Sequence, residues 1–178
     1  MNFEWLSEEE IYHGRVFAVE KVHVRLPDGR KTTYDYVKHT GAVTMVPVDD
    51  QGRIWFVRQY RMGVKGILLE LPAGTLEENE DPAVCAAREV REEIGMAADN
   101  VTKLGEFFLA PGYSSEYMHV YLMTGLHPSP LKHDDDEFLE TEAIPIEKVL
   151  EMVNNDQIRD GKTLACLMLA LRSLKKAA

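Results

Sequence analysis

Between Gly74 and Met96 the chain reads GTLEENEDPAVCAAREVREEIGM, and seven of these residues are Asp or Glu. Three of them, Glu89, Glu92 and Glu93, stand at i, i+3 and i+4. On a helix such positions are surface neighbours, and like charges there repel by about 0.2–0.5 kcal/mol per pair. The cluster asks for a cation. Magnesium prefers an octahedral shell of oxygen ligands, keeps several waters, and bridges one or two carboxylates to substrate phosphates. The stretch holds no His and a single Cys, Cys85, so a zinc centre built from nitrogen and sulfur is disfavoured. The competing reading is an acidic surface helix whose Arg and Glu residues pair at i, i+4.

The helix that would carry these carboxylates has clear ends. Asp81 fits an N-cap, Pro82 the first helical position and Gly95 the terminating left-handed position, which predicts a helix over Pro82 to Ile94. Ala83, Ala86, Ala87, Val90 and Ile94 form its apolar stripe, with Glu89 and Glu93 on an adjoining face. Before it, Pro72-Ala73-Gly74 breaks a strand at Ile67 to Leu71, and Thr75 to Glu80 read as a polar loop. Upstream lie two hairpins. The first pairs Val16 to Leu26 with Lys31 to His39, and the second pairs the apolar runs Ala42 to Val48 and Arg53 to Gln59. The cluster Arg58-Gln59-Tyr60-Arg61 closes the second hairpin and reads equally as surface charge or as an anion contact. Downstream, strands at Lys103 to Leu109 and Tyr117 to Met123 flank Ala110-Pro111-Gly112-Tyr113-Ser114-Ser115-Glu116, a candidate site wall. A Pro- and Asp-rich loop over His127 to Asp136 leads to a strand near Phe138 to Ile144 and a helix from Pro145 to Asn154. In the last helix, from Thr163, the residues Leu164, Leu167, Met168, Leu171 and Leu174 read as a core stripe.

A length of 178 residues suits one domain, or one domain with a small extension. The formal net charge of -10 argues against a protein that grips nucleic acid through its phosphates, yet leaves room for small anions met through metal ions. Cys85 and Cys166 lack the paired spacing of a redox or zinc site and read as core filling. The amino terminus shows no basic region followed by an apolar run, and no segment approaches the roughly 20 apolar residues of a membrane span. The expectation is a cytoplasmic protein with no nucleic-acid or membrane partner.

Gly74, five residues, Glu80, seven residues, and then Arg88-Glu89-Val90-Arg91-Glu92-Glu93-Ile94-Gly95-Met96 resembles a complete Nudix box. The resemblance implies an α/β protein with the Nudix fold, an α/β/α sandwich around a mixed β-sheet. Here residues 1–40 would form an N-terminal β-hairpin extension and 41–178 the hydrolase domain. It implies hydrolysis of a nucleoside diphosphate linked to another moiety, with Mg2+, or Mn2+ in its place. Glu89 and Glu93 are then expected as metal ligands, Glu92 as ligand or water-positioning group, and the Ala73 carbonyl as a backbone ligand. Arg88 and Glu80 would tie loop to helix.

Outside the box, Pro111 lies fifteen residues past Met96. This spacing, with Arg58-Gln59-Tyr60-Arg61, Leu69-Glu70-Leu71-Pro72-Ala73-Gly74, and Pro111-Gly112 followed by Glu116, resembles the ADP-ribose pyrophosphatase branch. Ala110 stands where that branch commonly has Ser. The resemblance implies Arg58 and Arg61 on phosphate or terminal ribose, Pro111, Gly112 and Glu116 at the substrate, and Glu116 as a further catalytic candidate. Glu137 is expected as general base, with Asp135, Asp136 and Glu93 as competitors. The front β-region would exchange across a homodimer, with Phe3 or Trp5 against adenine. Two alternatives remain: the same reaction on another nucleoside diphosphate sugar such as GDP-mannose, and a non-catalytic ADP-ribose-binding module.

Overall fold

The computed structural model describes residues 1–133 and 138–177. The chain divides into two compact units, Met1–Gly41 with Phe107–Met118, and Ala42–Glu106 with His119–Ala178.

The first unit is built on a three-stranded antiparallel sheet, β1 (Glu4–His13), β2 (Phe17–Arg25) and β3 (Lys31–His39), with β2 in the centre. The expected hairpin is therefore β2–β3, extended by a strand that sequence reading missed. The reason is visible in β1 itself: it is an edge strand with register shifts at Trp5/Ser7 and Glu10/Tyr12, and nine of its ten residues are exposed. No alternation survives such bulges. In β2, Ala18, Glu20, Val22 and Val24 alternate inward, and Lys38 satisfies one oxygen of the buried Glu20 at 2.8 Å.

The two remaining sheets belong to the second unit, apart from the strand ends Phe107, Phe108, Tyr117 and Met118, which fall in the first. One has the order β10-β5-β6, from β5 (Arg53–Arg61), β6 (Gly66–Glu70) and β10 (Leu139–Pro145); both its ladders are antiparallel. The other has the order β7-β4-β9-β8, from β4 (Ala42–Pro47), β7 (Ala73–Thr75), β8 (Met96–Phe108) and β9 (Tyr117–Pro128). Three helices complete it: α1 (Pro82–Glu93), α2 (Ile146–Asn154) and α3 (Gly161–Ala177). All six residues of β4 are buried because both faces are covered. Val43 and Met45 meet Cys85, Ala86 and Val90 of α1, while Thr44 lies beside Cys166 of α3. This is the expected sandwich of helices around sheet.

Several local expectations are adjusted. Residues 73–75 form a short strand paired with β4 instead of an open loop. On α1 the buried face takes in Cys85 and leaves Ala87 exposed, and on α3 Met168 is 75% exposed while Thr163, Cys166, Leu167 and Ala170 face inward. A stripe drawn from apolar type alone misplaces part of the face, because packing can bury a small Cys or a hydrogen-bonded Thr and leave an Ala or Met in solvent. Both cysteines are fully buried, as core filling requires. Among the described residues no helix is long and apolar enough to cross a membrane.

Candidate active site

The platform is α1. The Asp81 carboxylate accepts from the Ala83 and Val84 amides at 2.9 and 3.2 Å, Pro82 fills the first turn, and Gly95 closes the helix at φ 71°. Removing such a cap costs about 1 kcal/mol. Val90 and Ile94, buried against the core, add about 1.5–3 kcal/mol each. The helix is thus anchored from its back, and its carboxylates emerge at the rim.

Those carboxylates are held by one guanidinium. Arg88 reaches Glu80 through Nε and Nη2 at 3.2 and 3.1 Å, and Nη1 donates to both Glu89 and Glu92 at 2.8 Å. Burial would lower the Arg88 pKa, but the bond to Glu80 and the Glu89 charge outweigh it and raise it. Glu80 is in turn held below the usual carboxylate range, chiefly by its bonds to Arg88. Like-charge repulsion along α1 is therefore relieved by a cation from the helix itself. Glu93 faces the other way: it is 4% exposed, and its Oε2 accepts from the Ala73 amide at 2.9 Å.

The strand end opposite α1 is secured almost residue by residue. The Leu71 amide donates to Thr163 Oγ1 at 2.9 Å, and the Pro72 carbonyl accepts from Met45 at 2.9 Å. Ala73 and Gly74 pair with Thr44 and Val43. Gly74 lies flush against Glu89: a Cβ there would sit 2.0 Å from the Glu89 carboxyl carbon. Gly74 is not among the left-handed glycines, so it is the approach of Glu89, and no backbone requirement, that excludes a side chain.

Arg58 and Arg61, three residues apart on β5, project to opposite faces. Arg61 makes a two-pronged bond to Glu70, Nε to Oε1 at 2.8 Å and Nη2 to Oε2 at 2.7 Å. Its pKa is raised by the bond to Glu70, with Glu93 and Asp160 also contributing charge. Arg58 bonds Glu142 of β10 at 2.9 and 2.6 Å and lines a cleft of about 390 Å³ with Leu69, Gln157 and Arg159. Glu70 and Lys162 were not singled out from the sequence. An acid inside the apolar run Ile67 to Leu71 was the available signal, since a fully buried Glu must have a cationic partner.

Pro111, Gly112 and Glu116 belong to the first unit. Pro111 and Gly112 are exposed; Tyr113 and Ser114 bond back to the Ala110 carbonyl, and the Glu116 carbonyl accepts from Leu109 at 3.0 Å. Tyr113 and Ser115 fasten this loop to Val37. In the same unit Phe3 and Trp5 are half exposed, and Trp5 meets Tyr36 edge to face at 5.7 Å. Glu137, Asp135 and Asp136 lie outside the described residues. The chain just before them runs along the end of α1: Leu131 donates to the Arg91 carbonyl at 3.1 Å, and His133 Nδ1 lies 2.5 Å from the Glu92 carbonyl.

As arranged, no three acidic, His or Cys groups among the described residues gather as a metal-holding set; Glu89 and Glu92 turn to Arg88, and Glu93 to Ala73. The donor chemistry nevertheless fits a hard divalent cation: three carboxylates and the Ala73 carbonyl are all oxygen, and the bare Gly74 backbone sits against one of the carboxylates.

The NUDIX domain family model matches residues 38–165. The chain belongs to the Nudix family. Divalent-metal dependence is general in that family. The ADP-ribose pyrophosphatase of Bacillus subtilis (strain 168) is 36% identical over 160 residues, covering 89% of this chain and 86% of that protein. The ADP-ribose pyrophosphatase of Mycobacterium tuberculosis (strain ATCC 25618 / H37Rv) is 38% identical over 167 residues, covering 92% and 81%. A crystal structure of an ADP compounds hydrolase matches the fold with a TM-score of 0.88 at 24% identity, over 100% of this chain and 97% of that one. The Nudix hydrolase reads its box on α1 and in the loop leading to it.

Proposed function

We propose that this Nudix hydrolase cleaves the pyrophosphate bond of ADP-ribose, giving AMP and ribose 5-phosphate, with Mg2+ at the α1 carboxylates and Mn2+ as a substitute. The observation that carries the reading is the Gly74 backbone, stripped of a side chain where Glu89 approaches, next to Ala73, whose amide already holds Glu93. Similarity over most of the chain to two ADP-ribose pyrophosphatases supports the substrate.

Glu89, Glu93 and the Ala73 carbonyl would hold the cation, with Glu92 as a further ligand or as the group that orients water. A bound divalent cation supplies neutralisation of diphosphate charge and acidifies the attacking water. Arg61 offers the planar donors suited to a phosphate oxygen. We give it that role ahead of Arg58, which Glu142 holds on the opposite face of β5. Pro111, Gly112 and Glu116 are assigned to substrate, with Glu116 on ribose hydroxyls. Water adds to phosphorus, the bridging P–O bond breaks, and the general base takes the water's proton. We assign Glu137 as that base, with Asp135, Asp136 and Glu93 as alternatives. Glu137→Gln should cut turnover about 100-fold or more, and a loss under about threefold removes it from the role.

The working form is proposed as a cytoplasmic homodimer joined through the β1–β3 region, where Phe3, Trp5, Ile11, Tyr12, Phe17 and Tyr34 are exposed. Phe3 or Trp5 would stack on adenine. A single monomeric mass by light scattering at micromolar concentration sinks this part. The substrate is tested by product analysis on ADP-ribose, GDP-mannose and other nucleotide sugars, and dinucleoside polyphosphates, with and without MgCl2. Preferred, magnesium-dependent release of AMP from ADP-ribose is expected. Faster turnover of GDP-mannose overturns the substrate, and ADP-ribose binding without turnover overturns the enzyme in favour of a binding module.

A further inference from the structure

Glu70 is 1% exposed at the end of β6, three residues before Ala73. Both its oxygens are taken by Arg61, and Oε2 also accepts from Lys162 Nζ. Lys162, in the first turn of α3 and 92 residues from Glu70 in sequence, is shared with Asp160 Oδ2 at 2.8 Å. Asp160 in turn caps α3, accepting from the Thr163 amide at 2.9 Å and the Thr163 hydroxyl at 2.6 Å. The same Thr163 hydroxyl receives the Leu71 amide. Two cations and two carboxylates thus form a neutral quartet that joins α3 to the strand end feeding the metal platform.

From this arrangement we infer that Lys162 is a positioning residue for substrate recognition: by sharing the Glu70 charge it leaves Arg61 oriented and electrostatically available to a substrate phosphate. This role of Lys162 depends on the contact of Arg61 with substrate proposed above. Arg61 bonds Glu70 through Nε and Nη2, so among the described residues Nη1 is the edge left for a ligand, and the side chain is 41% exposed. Were Lys162 uncharged, Glu70 and Asp160 would carry two negative charges against the single positive charge of Arg61. Arg61 would then be drawn more tightly to Glu70, and the local field would oppose an anionic diphosphate. Because Arg61 is assigned to ground-state binding, the loss should appear in KM more than in kcat. The coupling runs through the side chain alone, so a Lys162→Arg replacement keeps it.

The test is steady-state hydrolysis of ADP-ribose in MgCl2 by wild type, Lys162→Met, Lys162→Arg, Arg61→Lys and the Lys162→Met/Arg61→Lys pair. Lys162→Met is expected to raise KM about tenfold with kcat within about threefold, and Lys162→Arg to recover most of the loss. On the Arg61→Lys background, Lys162→Met should add little, since both act on one contact. If Arg61→Lys raises KM while Lys162→Met leaves it unchanged, the inference is overturned and the Arg61 assignment stands. If Arg61→Lys itself leaves KM unchanged, the Arg61 assignment fails, and the inference with it. A Lys162→Met protein that only melts earlier, with wild-type KM, marks a structural role and also overturns the inference. Should Lys162→Met not fold, Lys162→Gln is read by the same criteria.

Discussion

Gly74→Ala isolates the geometry of the metal platform with one carbon atom. The new Cβ would stand 2.0 Å from the Glu89 carboxyl carbon, 2.2 Å from its Oε1 and 2.3 Å from its Cγ. Unbonded carbons settle near 3.5–4.0 Å, so the carboxylate must retreat by about 1.5–2 Å. Magnesium tolerates little deviation from ligand distances of about 2.0–2.1 Å, and misplacement of a reacting group by about 1 Å costs about 100-fold. We therefore expect kcat/KM for ADP-ribose to fall about 100-fold or more, equivalent to about 2.7 kcal/mol of transition-state stabilisation. The concentration of MgCl2 giving half-maximal rate should rise in parallel. Folding should hardly change, because the backbone at Gly74 is not left-handed and Ala limits the unfolded chain slightly more than Gly does. The assay is a magnesium titration of initial rates beside a thermal melt, with Glu89→Gln as the reference for loss of the ligand. Turnover within about threefold of wild type and an unchanged magnesium midpoint, in a folded protein, would refute the reasoning that Glu89 works from the position now occupied beside Gly74.

Three further outcomes are expected. Arg88→Lys should weaken metal affinity about 10- to 100-fold, as loss of groups orienting metal ligands does, because an ammonium cannot span Glu80, Glu89 and Glu92 as the guanidinium does; a magnesium midpoint equal to wild type rejects this. Burial pushes the Glu70 carboxyl up, but bonds from Arg61 and the charge and bond of Lys162 hold it below its ordinary value of 4.5. A lowered carboxyl pKa stabilises the fold fully above that value, and the contribution is lost as pH falls through the lowered one. Breaking such a buried pair costs about 3–5 kcal/mol; Glu70→Gln should accordingly melt well below wild type at pH 7, the gap closing as the pH drops beneath 4.5, and a constant gap contradicts the assignment. Finally, Cys85 and Cys166 are fully buried, and burial raises both thiols, Cys166 to about 12. A thiol reagent should label neither in the native protein and both after unfolding, and rapid native labelling speaks against this core.

The sequence by itself determined α1 and its charge pattern. Capping by Asp81, the first-turn Pro82, the terminating Gly95 and the spacing of Glu89, Glu92 and Glu93 all act within a few residues, so they can be read without knowing the rest of the chain. Period-two alternation likewise made the β2–β3 hairpin legible, and a continuous apolar run marked the buried β4, but the expected β4–β5 hairpin does not form: the two strands lie in different sheets and their ends meet in the isolated Val48–Ile54 bridge. Alternation missed β1, whose bulges and exposed faces erase that signal. Only the tertiary structure decided which cation meets which acid. The Arg88 pairs with Glu89 and Glu92 on its own helix and with Glu80 in the loop before it are local and were expected, but Arg61 reaches Glu70 on the neighbouring strand and Lys162 meets Glu70 across 92 residues. Any of 20 Lys and Arg could formally pair with any of 30 Asp and Glu. The choice is made when packing closes those loops and leaves a buried carboxylate one accessible partner, a long-range event that no local pattern records. Gly74 is the clearest case: a box position in sequence, it becomes in space the place where the chain must have no side chain so that Glu89 can stand against it.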